Sequence, residues 1–364
     1  MERDKATSGR LHAAVWAAVL APGVSVLPGL CAGQAGMCGW LAPLAALPAV
    51  VLAARMLTRL SRDGLAQRFL DLLGSVWGRV LTIIYIMWAL LLGSARLRMS
   101  GQRMVFAGRQ ETGLWVFLVV LAATAGWLAM GKSGAFIRAA AVFSGILTPA
   151  LVGVILLTAA QLRKENLLPL WVQDVPGVLR GGVFALGVFC YGMYGAFLDG
   201  GERGGGIRTG KVASGCVLLT ALLASVLGNM GAELSQRLAD PFLTLSKYVG
   251  VEGAFQRVES LTAALWLLGD LTLLGLLLSA CRSMVGVVVP GWNGRWVVLA
   301  GAAALLLGSG ALFRDAVLAR RFEYEIAPLG NLVLGVAAPA LLFQLDRRKS
   351  GGTSCVCSDE KKQM

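Results

Sequence analysis

The sequence predicts an all-α polytopic membrane protein of about ten transmembrane helices, arranged as two inverted five-helix repeats. Three observations lead there. Apolar stretches of membrane-spanning length follow one another from Leu11 to Lys349, and short segments between them hold nearly all the charge. Hydrophobic residues make up 57% of the 364 positions and charged residues only 15%, too few to coat a water-soluble core. The mean hydropathy of +0.71 agrees. The division of ten spans into five and five, with a helix breaker in the first span of each half, supplies the repeat.

In order, the spans read His12 to Leu30, Gly39 to Leu57, Trp77 to Leu97, Gly113 to Gly131, Phe136 to Ala160, Gly182 to Leu198, Val212 to Met230, Glu259 to Cys281, Arg295 to Phe313 and Ile326 to Leu345. They form a single transmembrane domain over 1–349, repeat one covering about 11–160 and repeat two about 182–345. Residues 350–364 make a polar cytoplasmic tail, expected to be disordered. The apolar run after Arg10 carries Pro22, Gly23, Pro28 and Gly29 without a small-residue cleavage pattern, so it reads as a span rather than a leader. With the N-terminus inside, about 20 Lys and Arg fall on the inner side and about 13 outside, which favours both termini in the cytoplasm. Arg96, Arg98, Arg103 and Arg109 crowd one outside loop against that trend.

The net charge of +13 would suggest nucleic acid in a soluble protein, but here anionic lipid at the inner leaflet accounts for it. The seven cysteines lack zinc-site spacing and His12 is the one histidine, so no metal or cofactor is expected; Cys31 and Cys38 read as free. Cys355 and Cys357 lie too close together, in too polar a tail, to mark a redox or metal site. A membrane enzyme lacks residues to work with: there is no nucleophile beside a base and no carboxylate pair at mid-depth.

Two connectors do more than connect. Arg59 to Leu73 alternates apolar and basic residues at helical spacing, as an amphipathic helix on the inner surface would. Glu233 to Arg257, containing Asp240-Pro241-Phe242, reads as a partly structured outer lid or a plain loop. The stretch DGGERGGGIRTGK, Asp199 to Lys211, imitates a phosphate-binding loop but puts Val212 where a Ser or Thr must hold magnesium, so it reads as a flexible linker.

The candidate binding residues come from helix breaks and polar intruders. Pro22 and Gly23, followed by Ser25, interrupt the first span, and Tyr191, Gly192 and Tyr194 do so in the sixth. In lipid, such interruptions persist only where the freed backbone is buried in protein or lines a wet cavity; a proline kink with small residues for close packing is the plain alternative. Asp270 is the carboxylate nearest the middle of a span, a ligand for a cation, proton or substrate amine, or else a neutral acid bonded to a carbonyl. Glu259, eleven residues earlier, returns to the same helix face. Tyr85, Trp88 and Trp266 are amphipathic aromatics away from the interface belts, placed to line a small pocket or simply to pack.

Taken together, VLPGLCAGQAGMCGWLAPLAALPAVVLAARML, GSVWGRVLTIIYIMWALL, GKSGAFIRAAAVFSGILTPAL with NLLPLW, and LADPFLTLSKYVGVEGAFQRVESLTAALWLLGD resemble spore germination permeases of the GerAB/GerKB type. That family is similar to the amino acid–polyamine–organocation transporters with a LeuT-like fold. The resemblance implies a nutrient-sensing subunit in the spore inner membrane that binds a small germinant, an amino acid above all, in a central cavity between spans one and six. It further implies a larger membrane subunit and a lipoprotein subunit as partners. A proton- or sodium-coupled amino acid transporter is the alternative reading, in which Asp270 carries the coupling charge.

Overall fold

In the computed structural model, residues 8–61, 64–107, 113–168, 171–198, 209–248 and 258–348 are described. Among them there is no strand, and eight helical stretches are long and apolar enough to cross a bilayer, with Leu114–Met130 a shorter apolar helix. Most of the Asp199 to Lys211 stretch, the 249–257 part of the expected lid, Arg109 and the tail with Cys355 and Cys357 lie outside the described residues, as does the side chain of Glu259.

The first span is α1 (Ser8–Ser25) and α2 (Leu27–Ala35). Pro22 does not unwind it. The chain passes through Pro22 and Gly23 as helix and bends at Val26, whose N–H still donates to the Pro22 carbonyl at 2.8 Å, while Leu30 donates to Val26 at 3.0 Å. Lacking N–H groups, Pro22 and Pro28 remove the bonds that the Ala18 and Val24 carbonyls would otherwise accept, and a bend is how a helix accommodates that loss. After a 3₁₀ turn, Gly36–Leu41, α3 (Ala42–Leu60) begins with Pro43 at its first turn, where a missing donor does no harm.

Helix α4 (Leu65–Ala107) is 43 residues long and turns once, at Gly74, whose φ of 83° is open to glycine and strained for other residues. Before that corner lies the later part of the amphipathic stretch expected over Arg59 to Leu73, burying Leu65, Ala66, Phe69 and Leu72 on one face, whereas Arg59 and Leu60 end α3. After it the helix runs ten residues beyond the expected end of the third span, so Arg96, Arg98 and Arg103 belong to a helix and not to a loop. Then come α5 (Leu114–Met130) and α6 (Ser133–Ala159).

The second half opens with α7 (Val175–Phe189), which tightens into a 3₁₀ segment, Cys190–Phe197, at the glycine and tyrosine run. Next are α8 (Thr209–Met230) and two short helices, α9 (Ala232–Arg237) and α10 (Pro241–Tyr248), which give the described part of the lid its structure. The eighth span is α11 (Val258–Val288) and the ninth α12 (Gly294–Ala311). The tenth starts ten residues earlier than expected, with α13 (Ala316–Arg321), a π-helical stretch Phe322–Ile326, α14 (Ala327–Leu332), a second π stretch Val333–Ala337, and helix to residue 348.

The most extensive packing is α4 along α11. Helix α1 lies on α6 and α11, and α7 lies on α14, so the first span of each half meets the last of the same half. Glycines set the closest approaches: a Cβ on Gly192 would sit 2.9 Å from Val15 Cγ1, and one on Gly187 would overlap the Pro328 backbone. Trp77, Trp127, Trp296 and Leu307 point outward, as lipid-facing residues of a bundle do.

Candidate functional site

Where the bend of the first span, the 3₁₀ segment of the sixth and the middle of α11 approach one another, the space is filled by a row of charge rather than by apolar side chains. Arg96, Ser100 and Arg103 stand at i, i+4 and i+7 of α4 and so share one face. The Arg96 guanidinium is completely buried; its Nε donates to Asp270 Oδ1 at 2.8 Å and its Nη1 to the Ser25 hydroxyl oxygen at 2.8 Å. Ser25 in turn donates to the Ala21 carbonyl at 2.9 Å, so the arginine grips α1 just before its bend. Arg103 Nη1 reaches the other Asp270 oxygen at 2.7 Å, and its Nε donates to Asp240 Oδ2 at 2.8 Å. Asp240 caps α10 through the Leu243 N–H, which ties the lid to the row. Glu323, from the π stretch of the tenth span, approaches Arg96 Nη1 at 3.5 Å.

Charges at this depth persist only with partners, and Asp270 has two. It receives one charged donor on each oxygen, which is an ion-pair role in place of the neutral acid bonded to a carbonyl that the sequence left open. The expectation of outside-loop arginines is likewise corrected: Arg96 and Arg103 are buried because their helix continues along α11, with Arg103 paired to Asp240 just before α10.

The other sequence-selected residues are distributed around this row. Tyr191 is buried beside Arg96 and Glu323. Pro22 and Gly23 lie one turn before the bend, with Gly23 against Leu219. Gly192 holds the 3₁₀ segment against Val15. The helices expected to be broken by unwound backbone thus abut through small residues, with a bend in one and a tightened turn in the other. Tyr85 and Tyr194 sit in an aromatic cluster with Phe69 and Phe197; Tyr85 donates to the Leu334 carbonyl in the second π stretch, and Tyr194 to the Tyr85 carbonyl at 3.3 Å. Trp88 donates to Asn331 at 2.9 Å, and Asn331 to the Gly187 carbonyl at 3.1 Å, stitching the third, sixth and tenth spans together. Trp266 packs on Phe242 of the lid, ring centres 5.1 Å apart, and its buried indole N–H has no partner among the described residues.

Sequence reasoning missed Arg96, Arg103 and Glu323 as parts of the centre. The i, i+4, i+7 spacing of Arg96, Ser100 and Arg103 was the available signal for the first two. Glu323 gave none, because it precedes the apolar stretch from which the tenth span was drawn.

The profile of the family described as spore germination protein, the spore permeases, matches residues 7–308. The chain belongs to that family. Among solved structures it is similar to MhsT in complex with L-phenylalanine, at 12% identity over 95% of this chain and 99% of that one, with a TM-score of 0.64. It is similar also to MHP1, a nucleobase-cation-symport-1 family transporter, in a closed conformation with bromovinylhydantoin bound, at 13% identity over 93% of this chain and 78% of that one, with a TM-score of 0.63. No curated protein sequence matches. The spore permease therefore has the LeuT-like fold expected from its sequence, and its family and fold are those of membrane permeases rather than enzymes.

Proposed function

We propose that this spore permease is the membrane subunit of a nutrient-germinant receptor in the spore inner membrane, with both termini cytoplasmic. It binds a small germinant, an amino acid, between the first and sixth spans and passes the signal to a larger membrane subunit and a lipoprotein subunit. The observation that carries the reading is the Arg96 to Asp270 pair set against Ser25 and Tyr191. A buried guanidinium is a receptor for a carboxylate, and a carboxylate beside it is a receptor for an ammonium, so the pair matches the two charges of a zwitterion. Pro22, Gly23 and Gly192 keep the backbone close to that point. Trp266, one turn from Asp270 and under the lid, is its cover, while Tyr85, Trp88 and Tyr194 are set two to three turns deeper and brace the third, sixth and tenth spans that frame it.

In the form described here the pair satisfies itself, so a ligand must compete for it. A solute that binds the open arrangement better shifts the population toward it, and the bend at Val26 is the element positioned to move. The fold of MhsT, a structure with L-phenylalanine bound, supports an amino acid as the ligand class and also supports the second reading, a proton- or sodium-coupled amino acid transporter.

The test uses spores whose only copy of the protein carries Asp270→Asn, together with the same variant reconstituted in vesicles. Loss of germination on a panel of amino acids, with the vesicles showing no amino acid uptake for either form, is the expected result. Uptake by the unaltered protein that Asp270→Asn abolishes would establish the transporter instead. Germination unaffected by Asp270→Asn would remove the proposed site.

A further inference from the structure

Glu323 is a buried acid that the proposed ligand pair does not use. It lies in the π-helical stretch Phe322–Ile326 and is 3% exposed. A π turn replaces the α-helical bonds with longer i→i+5 ones and is frequent at functional sites. Oxygen Oε2 is 3.5 Å from Arg96 Nη1, the outer limit for a hydrogen bond, and Oε1 has no partner among the described residues. Asp270 differs sharply: each of its oxygens holds an arginine at 2.7 or 2.8 Å.

Charge counting separates the two acids. The row contains two cations, Arg96 and Arg103, and these are matched by Asp270 and Asp240. An ionised Glu323 would be a third anion, with one oxygen bare, in a place where an unmatched charge is not tolerated. The groups that face it are Arg96 and Arg103 from α4, Asp270 from α11, Tyr191 from the 3₁₀ segment and Tyr324 on its own element.

We propose that Glu323 is a proton-binding site: it holds an exchangeable proton while the Arg96, Arg103, Asp240 and Asp270 row is closed, and releases it when Arg96 is drawn away from Asp270. On release the O–H bond of the neutral carboxyl breaks, the proton passes to water, and the carboxylate becomes a second claimant for the Arg96 guanidinium. Because the same guanidinium holds Ser25 on α1, the proton on Glu323 sets how firmly the first span is held at its bend. The exchangeable proton of the row thus sits on Glu323 and not on Asp270. This stands whether or not the ligand is an amino acid.

Infrared spectroscopy of the purified full-length protein in lipid nanodiscs tests it directly, because a protonated carboxyl has a carbonyl band that carboxylates lack. Among the described residues Glu323 and Asp270 are the two buried carboxylates, so carboxyl-labelled glutamate and aspartate tell them apart. At neutral pH the unaltered protein is expected to show the band, shifting with the glutamate label and not with the aspartate label. Glu323→Gln should lose it. Glu323→Asp, which keeps an acid in place, should move the band from the glutamate label to the aspartate label. Absence of the band at neutral pH, a band that follows aspartate in the unaltered protein, or one that still follows glutamate in Glu323→Asp would overturn the proposal. Glu323→Asp decides the matter even if Glu323→Gln does not fold.

Discussion

Arg96 and Arg103 stand two turns apart on the same face of α4, yet the two ends of their row are built differently. At the inner end Arg96 and Asp270 are shut off from solvent and held by bonds to α1, α11 and the tenth span. At the outer end Arg103 meets Asp240, whose side chain is 17% exposed and which sits at the start of a helix of eight residues. Shared residue types do not give shared roles. A buried pair with no water to replace a lost partner is a lock, whereas a pair at the edge of a short lid can trade its partner for water and is a latch.

The contrast breaks first, if it breaks at all, at the inner end. Arg96→Ala leaves Asp240 and Asp270 to share Arg103 as their one cation, a buried negative charge unmatched, and a loss of about 3–5 kcal/mol in stability is expected, read as loss of monodisperse protein after detergent extraction. Recovery of normal amounts of folded protein would show that the inner pair is not a lock. Gly192→Leu is next: with Val15 already 2.9 Å from where a Cβ would sit, overpacking should cost about 1–3 kcal/mol and separate the first and sixth spans. The protein is expected to remain in the membrane and lose its germinant response.

At the outer end, Asp240→Asn should weaken the lid by about 1–2 kcal/mol while leaving the bundle intact. The measurement is hydrogen exchange of the α10 amides, which should speed up while those of α11 below the row hold steady. Equal acceleration in both helices would mean that latch and lock are one unit. The smallest effect belongs to the pairs away from the row. Arg321 and Glu325, exposed and four residues apart, should contribute no more than about 0.3–0.5 kcal/mol, so Arg321→Ala is expected to shift thermal unfolding barely at all.

The apolar helices and the positions of the helix breakers were legible from the pattern of hydropathy because lipid imposes a simple rule: long apolar stretches, with charge at the ends. Asp270 stood out by violating that rule. Arg96 and Arg103 violated it too, but charged residues near a span's edge read as loop, and only the continuation of α4 to Ala107 places them inside. Pro22 and the Gly192 region were legible as irregular, while the form of the irregularity was not. A proline removes one hydrogen bond, and whether the helix then unwinds or bends depends on what packs against it, here Val15 against Gly192 and Leu219 against Gly23.

By itself the sequence determined that this protein is a bundle in lipid and where its helices carry weak points, since both follow from local hydropathy and backbone chemistry. Tertiary structure alone decided which charges meet. Asp270 and Glu323 lie 174 and 227 residues along the chain from Arg96, and a buried charge takes its meaning from its neighbours, which no local pattern encodes.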